Sequence, residues 1–406
     1  MKTLLYILER YFFTLSSALF TFFLASLIEP DSYGLIAYKL SVISFLSVFS
    51  LQCLEQISQR ECVANMRRLS SYITSTIVVR VCFSFIVYIF LVFYSIITED
   101  YIYILLGLNN IFICFDSVKS FYVSTNEPKA LLKITSPVLF LSLIIKVFLV
   151  SQFHGNLYIL AIALVFDLGL LSIAYLVAFF KMKYTYNTYV DFDFDFEFAY
   201  LLLKDGKYLF ISALFLIAFS TIDQMVVGEL FGFEVLANYS IAIRISSVFI
   251  LLSTAFNLAF VSKLDTKKSN FNSNAKKMIL FSLTTGFISS LAVGSIAPYF
   301  FDFVFKDKYP YVSSYLPYMS FFIFFAFLQS TTGRILVSLN LVKYVLFRNF
   351  LSACITFTGF FIVIKFSLNE FWIIGSVCAG YFTSSIAFIF LSKKLTRSFY
   401  NILALK

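Results

Sequence analysis

Twelve separate runs of about 20 mostly apolar residues decide what this chain can fold into. A helix needs about 20 such residues to cross the hydrocarbon core of a bilayer. The runs fall at about 10–28, 33–57, 72–97, 101–124, 134–153, 157–180, 208–229, 235–260, 279–302, 315–339, 345–364 and 370–392. Clear breakers separate them, among them Glu29-Pro30-Asp31, Thr98-Glu99-Asp100, Glu127-Pro128-Lys129 and Lys306-Asp307-Lys308-Tyr309-Pro310. The apolar residues run continuously and do not alternate, which argues against a transmembrane β-barrel. Only 13% of residues are charged and 60% are hydrophobic, against about 25% charged in soluble domains. That leaves too little polar surface for a soluble enzyme, a secreted disulfide scaffold or a disordered chain. The sequence predicts an all-α polytopic membrane protein with twelve transmembrane helices.

Charge orients the bundle. Of the 31 lysines and arginines, 22 fall in one set of connections that includes both termini, among them Lys2, Arg60, Lys133, Lys181, Lys277, Lys343, Arg348, Lys393 and Arg397. The opposite connections hold only Lys306 and Lys308, beside Glu29, Asp31, Glu99, Asp100, Glu229, Glu234, Asp302, Asp307 and Glu370. Positive residues mark cytoplasmic loops, so both termini are expected inside. This segregation also removes any reading of the +9 net charge as a nucleic-acid surface. No small-residue cleavage site follows the first run, which is expected to stay as a helix. The six cysteines show no CxxC spacing and His154 is the only histidine, so neither a metal nor a cofactor site is expected.

The longest connection, 181–207, lies halfway along the chain and divides it into a first lobe (1–180), a linker (181–207), a second lobe (208–392) and a tail (393–406). The linker contains Asp191-Phe192-Asp193-Phe194-Asp195-Phe196-Glu197-Phe198, read as a solvated stretch whose phenylalanines dip into the lipid interface, or as a docking site for a cytoplasmic partner. Two weak internal matches relate the halves. Ile36-Ala37-Tyr38-Lys39-Leu40-Ser41 aligns with Ile241-Ala242-Ile243-Arg244-Ile245-Ser246, and Val123-Ser124-Thr125-Asn126 with Val337-Ser338-Leu339-Asn340. Six-helix halves of the same orientation imply a pseudo-twofold axis along the membrane normal, and transporters built so carry substrate between the halves. The outer connections are too short to hold the extracellular domain an outer-face enzyme would need, so a non-enzyme is expected.

Seven cations remain inside the runs: Lys39, Arg80, Lys119, Lys146, Arg244, Arg334 and Lys365, with Asp116, Asp167 and Asp223 beside them. A cation at a helix centre costs about 3 kcal/mol, so seven facing lipid would cost about 20 kcal/mol against a total stability of about 5–15 kcal/mol. They must snorkel, pair or line water. Arg80, Lys119 and Arg334 lie near inner helix ends and Lys365 at an outer end, where snorkelling competes with function. Lys39, Arg244 and Asp223 sit at similar depth and are the first candidates for a polar cavity, a plain Asp223–Arg244 pair being the alternative. Lys146 is a candidate for a water-facing role. Asp167 and Asp116 are either ion-coupling carboxylates or locally paired. The excess of cations favours an anionic substrate, since lysine and arginine suit phosphate by charge and donor geometry.

Two joints carry a family resemblance. Ala25-Ser26-Leu27-Ile28-Glu29-Pro30-Asp31-Ser32-Tyr33-Gly34-Leu35 resembles the A–x–x–L–x–P–x–x–Y–G joint between the first two helices of polysaccharide repeat-unit flippases. Ile222-Asp223-Gln224-Met225-Val226-Val227-Gly228, followed by Ala237-Asn238-Tyr239-Ser240-Ile241-Ala242-Ile243-Arg244-Ile245, resembles their joint at helices seven and eight, with Asn238 where glycine is common. The chain thus resembles the Wzx-type flippases of the multidrug/oligosaccharidyl-lipid/polysaccharide exporter superfamily.

The resemblance implies a V-shaped pair of six-helix lobes around a cationic cavity in a bacterial inner membrane. It implies alternating-access translocation of undecaprenyl-pyrophosphate-linked oligosaccharide for O-antigen or other surface polysaccharide. Lys39, Arg244, Lys146, Arg334, Lys119 and Arg80 would be the substrate-binding set. Coupling to H⁺ or Na⁺, with Asp223 first and Asp167 and Asp116 next, and pathway partners such as the polymerase and chain-length proteins, are implied likewise. The alternatives are a membrane glycan polymerase or ligase and a cation-coupled drug antiporter of the same superfamily. The second typically uses a carboxylate deep in helix one, where this chain has only Glu9 at the cytoplasmic edge.

Overall fold

Backbone groups inside a bilayer have no water to bond, so a chain with these runs must satisfy them within helices. The computed structural model describes residues 2–65, 68–125, 127–153, 156–185, 193–261, 271–305, 308–339 and 341–404, and every expected run is helical. The helices are α1 (Lys2–Leu27), α2 (Pro30–Leu46), α3 (Leu54–Ala64), α4 (Leu69–Thr98), α5 (Ile102–Phe112), α6 (Lys119–Ser124), α7 (Pro128–Gln152), α8 (Leu157–Thr185), α9 (Phe196–Phe231), α10 (Phe233–Val261), α11 (Phe271–Leu291), α12 (Ala297–Phe305), α13 (Val312–Ser338), α14 (Val342–Phe366), α15 (Phe371–Ser385) and α16 (Lys393–Ala404). Among the described residues, ten segments are long and apolar enough to span a membrane. The two remaining expected spans are shorter: the apolar part of α1 is Phe12–Leu27, and α15 is followed by a 3-10 turn, Ala387–Leu391. The chain is a multi-pass membrane protein. His154, Lys306, Asp307, Asn126, Asn340, Asp191 and Phe192 lie outside the described residues.

The chain divides into two compact units. One comprises Met1–Ile28 and Lys39–Ala213; the other comprises Glu29–Tyr38 and Leu214–Lys406. The first turns of α2 thus belong to the second unit, an exchange that the halving of the sequence did not foresee. Glycine makes it possible. A Cβ on Gly34 would collide with the Phe233 carbonyl oxygen at the start of α10, and one on Gly228 would lie 2.9 Å from the Tyr38 ring. Tyr38 then donates its hydroxyl to Glu229 at 2.6 Å.

In the first unit, the end of the expected linker is structural. α9 starts at Phe196, where Asp195 accepts the Phe198 amide at 2.9 Å as a helix cap. The Asp195 amide in turn donates to Ser75 at 2.8 Å, Arg68 lies 3.6 Å from the Asp195 carboxylate, and Phe198 stacks on Tyr72 with centroids 4.0 Å apart. The described part of the Asp/Phe run therefore docks onto α4. Phe198 is buried, and Phe196 alone among its described phenylalanines is well exposed, at 79%.

Several helices break within the expected spans. α2 gives way to a 3-10 turn, Ser47–Ser50, ended by Leu51 in the left-handed region at φ 53°. α5 continues as a 3-10 segment, Ile113–Val118. In the second unit α15 ends before its 3-10 turn, and α11 passes through a π-helical turn, Ala292–Ile296, into α12. Such breaks free carbonyls that need donors.

Candidate functional site

Two buried arginines supply many of those donors. Arg80 of α4, 1% exposed, reaches Ser50 O at 3.1 Å, Ile113 O at 3.0 Å, Cys114 O at 3.4 Å and Ser117 Oγ at 2.7 Å. It bonds the exits of both broken helices in the first unit. Arg348 of α14 does the same in the second unit, reaching Gln329 O at 3.1 Å, Thr332 Oγ1 at 3.0 Å and Ser384 O at 3.4 Å at the end of α15. Neither guanidinium has a carboxylate partner among the described residues. Arg80 was expected among the substrate-binding cations and Arg348 among the inner-loop cations. Both are buried donors to main-chain oxygens.

The other intramembrane cations of the first unit are paired. Lys39 bridges Asp100 and lies over the Tyr103 ring at 5.5 Å. Lys119 lies 3.3 Å from Asp116, its i−3 neighbour, and over Tyr175 at 5.3 Å. Lys146 of α7 meets Asp167 of α8 at 2.5 Å, with side chains 2% and 12% exposed. Ser142, one turn before Lys146, donates to the second Asp167 oxygen, and the ammonium lies 4.2 Å from the centroid of Phe20 on α1. Asp116 and Asp167 are each paired with a lysine of the same unit. An ion pair made within one unit leaves no net charge to attract a ligand until it opens.

The second unit holds the contrary case. α9 and α10 form a hairpin whose turn is Gly232, at φ 88°. Asp223 precedes that turn by nine residues and Tyr239 follows it by seven, so at 1.5 Å per residue both lie about 10–14 Å along their helices from it. The hairpin therefore brings them side by side, and the Tyr239 hydroxyl donates to Asp223 Oδ2 at 2.6 Å. Asp223 is 2% exposed, and its Oδ1 is buried with no hydrogen-bond partner. The expected alternative, a pair with Arg244, is not formed. Arg244 is exposed, and Asp223 has no ion pair among the described residues.

Beside the carboxylate is a cavity of about 40 Å³, lined by Ser220, Asp223, Tyr239, Met319, Phe322 and Tyr381, among others. That is room for about two water-sized occupants. Four helices of one unit, α9, α10, α13 and α15, enclose it. Asn238, the departure from the family glycine, is fully buried. Its Nδ2 donates to Glu234 O at 2.9 Å, and its Oδ1 accepts the Tyr311 amide at 3.1 Å. It ties α10 to the start of α13 beside the site. Tyr239 escaped notice in the sequence although it lies in the quoted joint. The signal was its position opposite Asp223 across a glycine turn.

Of the remaining candidates, Arg334 is half-buried near the end of α13 and Lys365 is exposed in the last turn of α14. No group of three or more histidine, cysteine or acidic side chains arranged to hold a metal occurs among the described residues.

The fold defines a class first: a helical membrane protein of two units, with the buried lysines of one paired to carboxylates and a buried acid in the other without an ion pair among the described residues. Comparison then gives what the chain is similar to. Residues 209–362 match the MatE family. The whole chain superposes on an outward-facing multidrug-resistance MATE transporter of the MOP superfamily, with TM-score 0.69, 12% identity and 96% of that chain covered. It also superposes whole on a MOP-superfamily transporter from Pyrococcus furiosus, with TM-score 0.70, 12% identity and 95% of that chain covered. An inward-facing MATE transporter matches 98% of the chain and 95% of its own length, with TM-score 0.64 and 11% identity. Sequence comparison with curated proteins finds no match. At these identities the likeness establishes the fold: this chain has the fold of the MATE transporters.

Proposed function

We propose that the chain is a cation-coupled membrane transporter working by alternating access, with Asp223 as the coupling group. The observation that carries this is a carboxylate buried in a small cavity, bonded through one oxygen to Tyr239 and with the other free of partners. An isolated buried charge is costly. Such a group favours a state in which a proton or a metal cation neutralises it, and releasing that ion favours another state in which water reaches it. A group whose occupancy shifts a two-state equilibrium is the minimum device for coupling. The structural neighbours described as multidrug transporters favour antiport of a small amphiphile as the reaction.

A second reading has its own support. The two joint motifs and the seven intramembrane cations favour a lipid-linked anionic oligosaccharide, flipped between leaflets while its polyprenyl tail stays in lipid. For the P. furiosus transporter of this fold, a reversed polarity of the binding pocket suggests a different function. One experiment separates the readings. The protein is reconstituted in vesicles, a proton or sodium gradient is imposed, and two substrates are followed: a fluorescent organic cation and a fluorescent polyprenyl-pyrophosphate oligosaccharide. Gradient-dependent movement of the first alone supports antiport, and of the second alone supports flipping. In either case Asp223→Asn should abolish the dependence on the gradient. Movement that ignores both gradients refutes the coupling.

A further inference from the structure

We propose that the exposed face of α16, together with Lys277 at the start of α11, binds anionic phospholipid headgroups of the surrounding membrane. This goes beyond the transport reading and holds for either substrate. It requires only that the helices cross a bilayer.

α16 is amphipathic in an unusual sense, because its apolar side is already occupied. Leu395, Phe399 and Ile402, spaced at i, i+4 and i+7, are 2%, 3% and 2% exposed. They pack with Phe271, Ala275 and Met278 of α11 and with Phe388. The Phe388 and Phe399 rings meet edge-on at 6.3 Å, and Thr396 Oγ1 donates back to Ile389 O at 2.9 Å, fixing the helix to the turn that precedes it. The described leucine, phenylalanine and isoleucine side chains of the helix are therefore all taken up by the bundle. What it presents outward is Lys393, Thr396, Arg397, Tyr400 and Asn401, all exposed. The helix KKLTRSFYNILA contains no acid.

Its level in the fold is fixed by its neighbours. α11 begins there, α13 ends there at Ile335 and Leu336, and α14 begins there near Val345, all in one cluster with α16. α16 thus lies across one end of a helical bundle, at headgroup depth. Tyr400 and Phe390, 69% and 73% exposed, are the aromatic residues that membrane interfaces enrich. Lys277, exposed beside buried Met278, extends the cationic strip. A strip with cations and, among the described residues, no acids suits an anionic headgroup. A zwitterionic one gains less, since its own ammonium is repelled.

The test uses the full chain in lipid nanodiscs. In a Trp372→Phe background, Tyr400→Trp supplies the sole tryptophan, and quenching is compared between brominated phosphatidylglycerol and brominated phosphatidylcholine at equal mole fraction. Preferential quenching by phosphatidylglycerol is expected, weakening in high salt. Lys393→Gln with Arg397→Gln should cut that preference by about fivefold per cation removed. Lys277→Gln, an exposed position on α11 outside α16, should reduce it separately. Equal quenching by the two lipids overturns the proposal, and so does a preference that survives all three substitutions. A protein partner on this face would give the first of those results.

Discussion

The buried pair Lys146–Asp167 allows a sharp test of which intramembrane cations serve the fold and which serve a ligand. Its partners come from adjacent helices, α7 and α8, with side chains 2% and 12% exposed. Lys146→Met removes the ammonium, its 2.5 Å bond to Asp167 and its place over Phe20, and leaves an acid stranded between helices. Breaking a buried pair from one side costs about 3–5 kcal/mol, and a lone Asp or Lys at a helix centre costs about 2.5–3.5 kcal/mol on insertion scales. Lys146→Met and Asp167→Leu should therefore each cost about 3–5 kcal/mol. The double variant buries no charge and should return to within about 1–2 kcal/mol of the parent, orphaning only the Ser142 hydroxyl. The implied coupling is at least about 4 kcal/mol. It is read from denaturant unfolding of the four proteins in mixed micelles by circular dichroism. Losses under 1 kcal/mol that simply add would refute the reasoning. Transport supplies the second readout. A structural pair predicts that the double variant still transports, whereas a folded but inactive double variant would return Lys146 to the substrate path.

Other perturbations give further expectations. Asp223→Asn should leave melting temperature unchanged or raised, because it removes a buried acid that lacks an ionic partner, while abolishing gradient dependence; a drop of several degrees would instead mark Asp223 as structural. Gly34→Ala forces a methyl into the Phe233 carbonyl and should destabilise by about 1–3 kcal/mol, as overpacking does, measurable by thermal unfolding in detergent. Cys62, fully buried in α3, has its thiol pushed up to about 12 by burial. At pH 8 its thiolate fraction, and hence its maleimide labelling in the folded protein, should fall about two-thousandfold below that of an ordinary thiol of pKa ~8.5. Labelling at the ordinary rate would disprove its burial. Glu99 sits in the left-handed region at φ 55°, so Glu99→Gly should stabilise by up to about 1–2 kcal/mol, read from the same unfolding curves.

The helices were legible because only helices and closed barrels span lipid, and a continuous apolar run without alternation leaves the barrel no room. The breaks were not legible. The stretch Ser47-Val48-Phe49-Ser50-Leu51 contains neither proline nor glycine, and what permits its 3-10 turn is Arg80, 30 residues away, bonding the Ser50 carbonyl. A sequence displays the charge of Arg80 and hides the carbonyls it serves, so the charge reads as a ligand site. The same blindness made Arg348 a loop cation. Asp223 could be found because an acid in an apolar run stands out. Tyr239 could not, since one tyrosine among 26 carries no signal until the Gly232 turn sets it opposite the acid.

The cations and acids of the spans, taken unit by unit, alter the force of the original count. Seven cations inside the membrane suggested an electropositive path. In the first unit, however, Lys39, Lys119 and Lys146 each have a carboxylate, and Arg80 is held by four oxygens. A paired lysine attracts an anion only if the anion replaces its acid, so an anionic substrate would have to compete with Asp100, Asp116 or Asp167 for the same ammonium. That competition is costly at rest and cheap only in a state where water solvates the released carboxylate. An anion path built from these residues would thus be opened by conformational change and silent otherwise, whereas on the coupling proposed for Asp223 an arriving cation breaks no ion pair among the described residues. The buried lysines of the first unit and Asp223 of the second therefore differ in what a ligand would have to do: displace a carboxylate at each lysine, and break no ion pair among the described residues at Asp223.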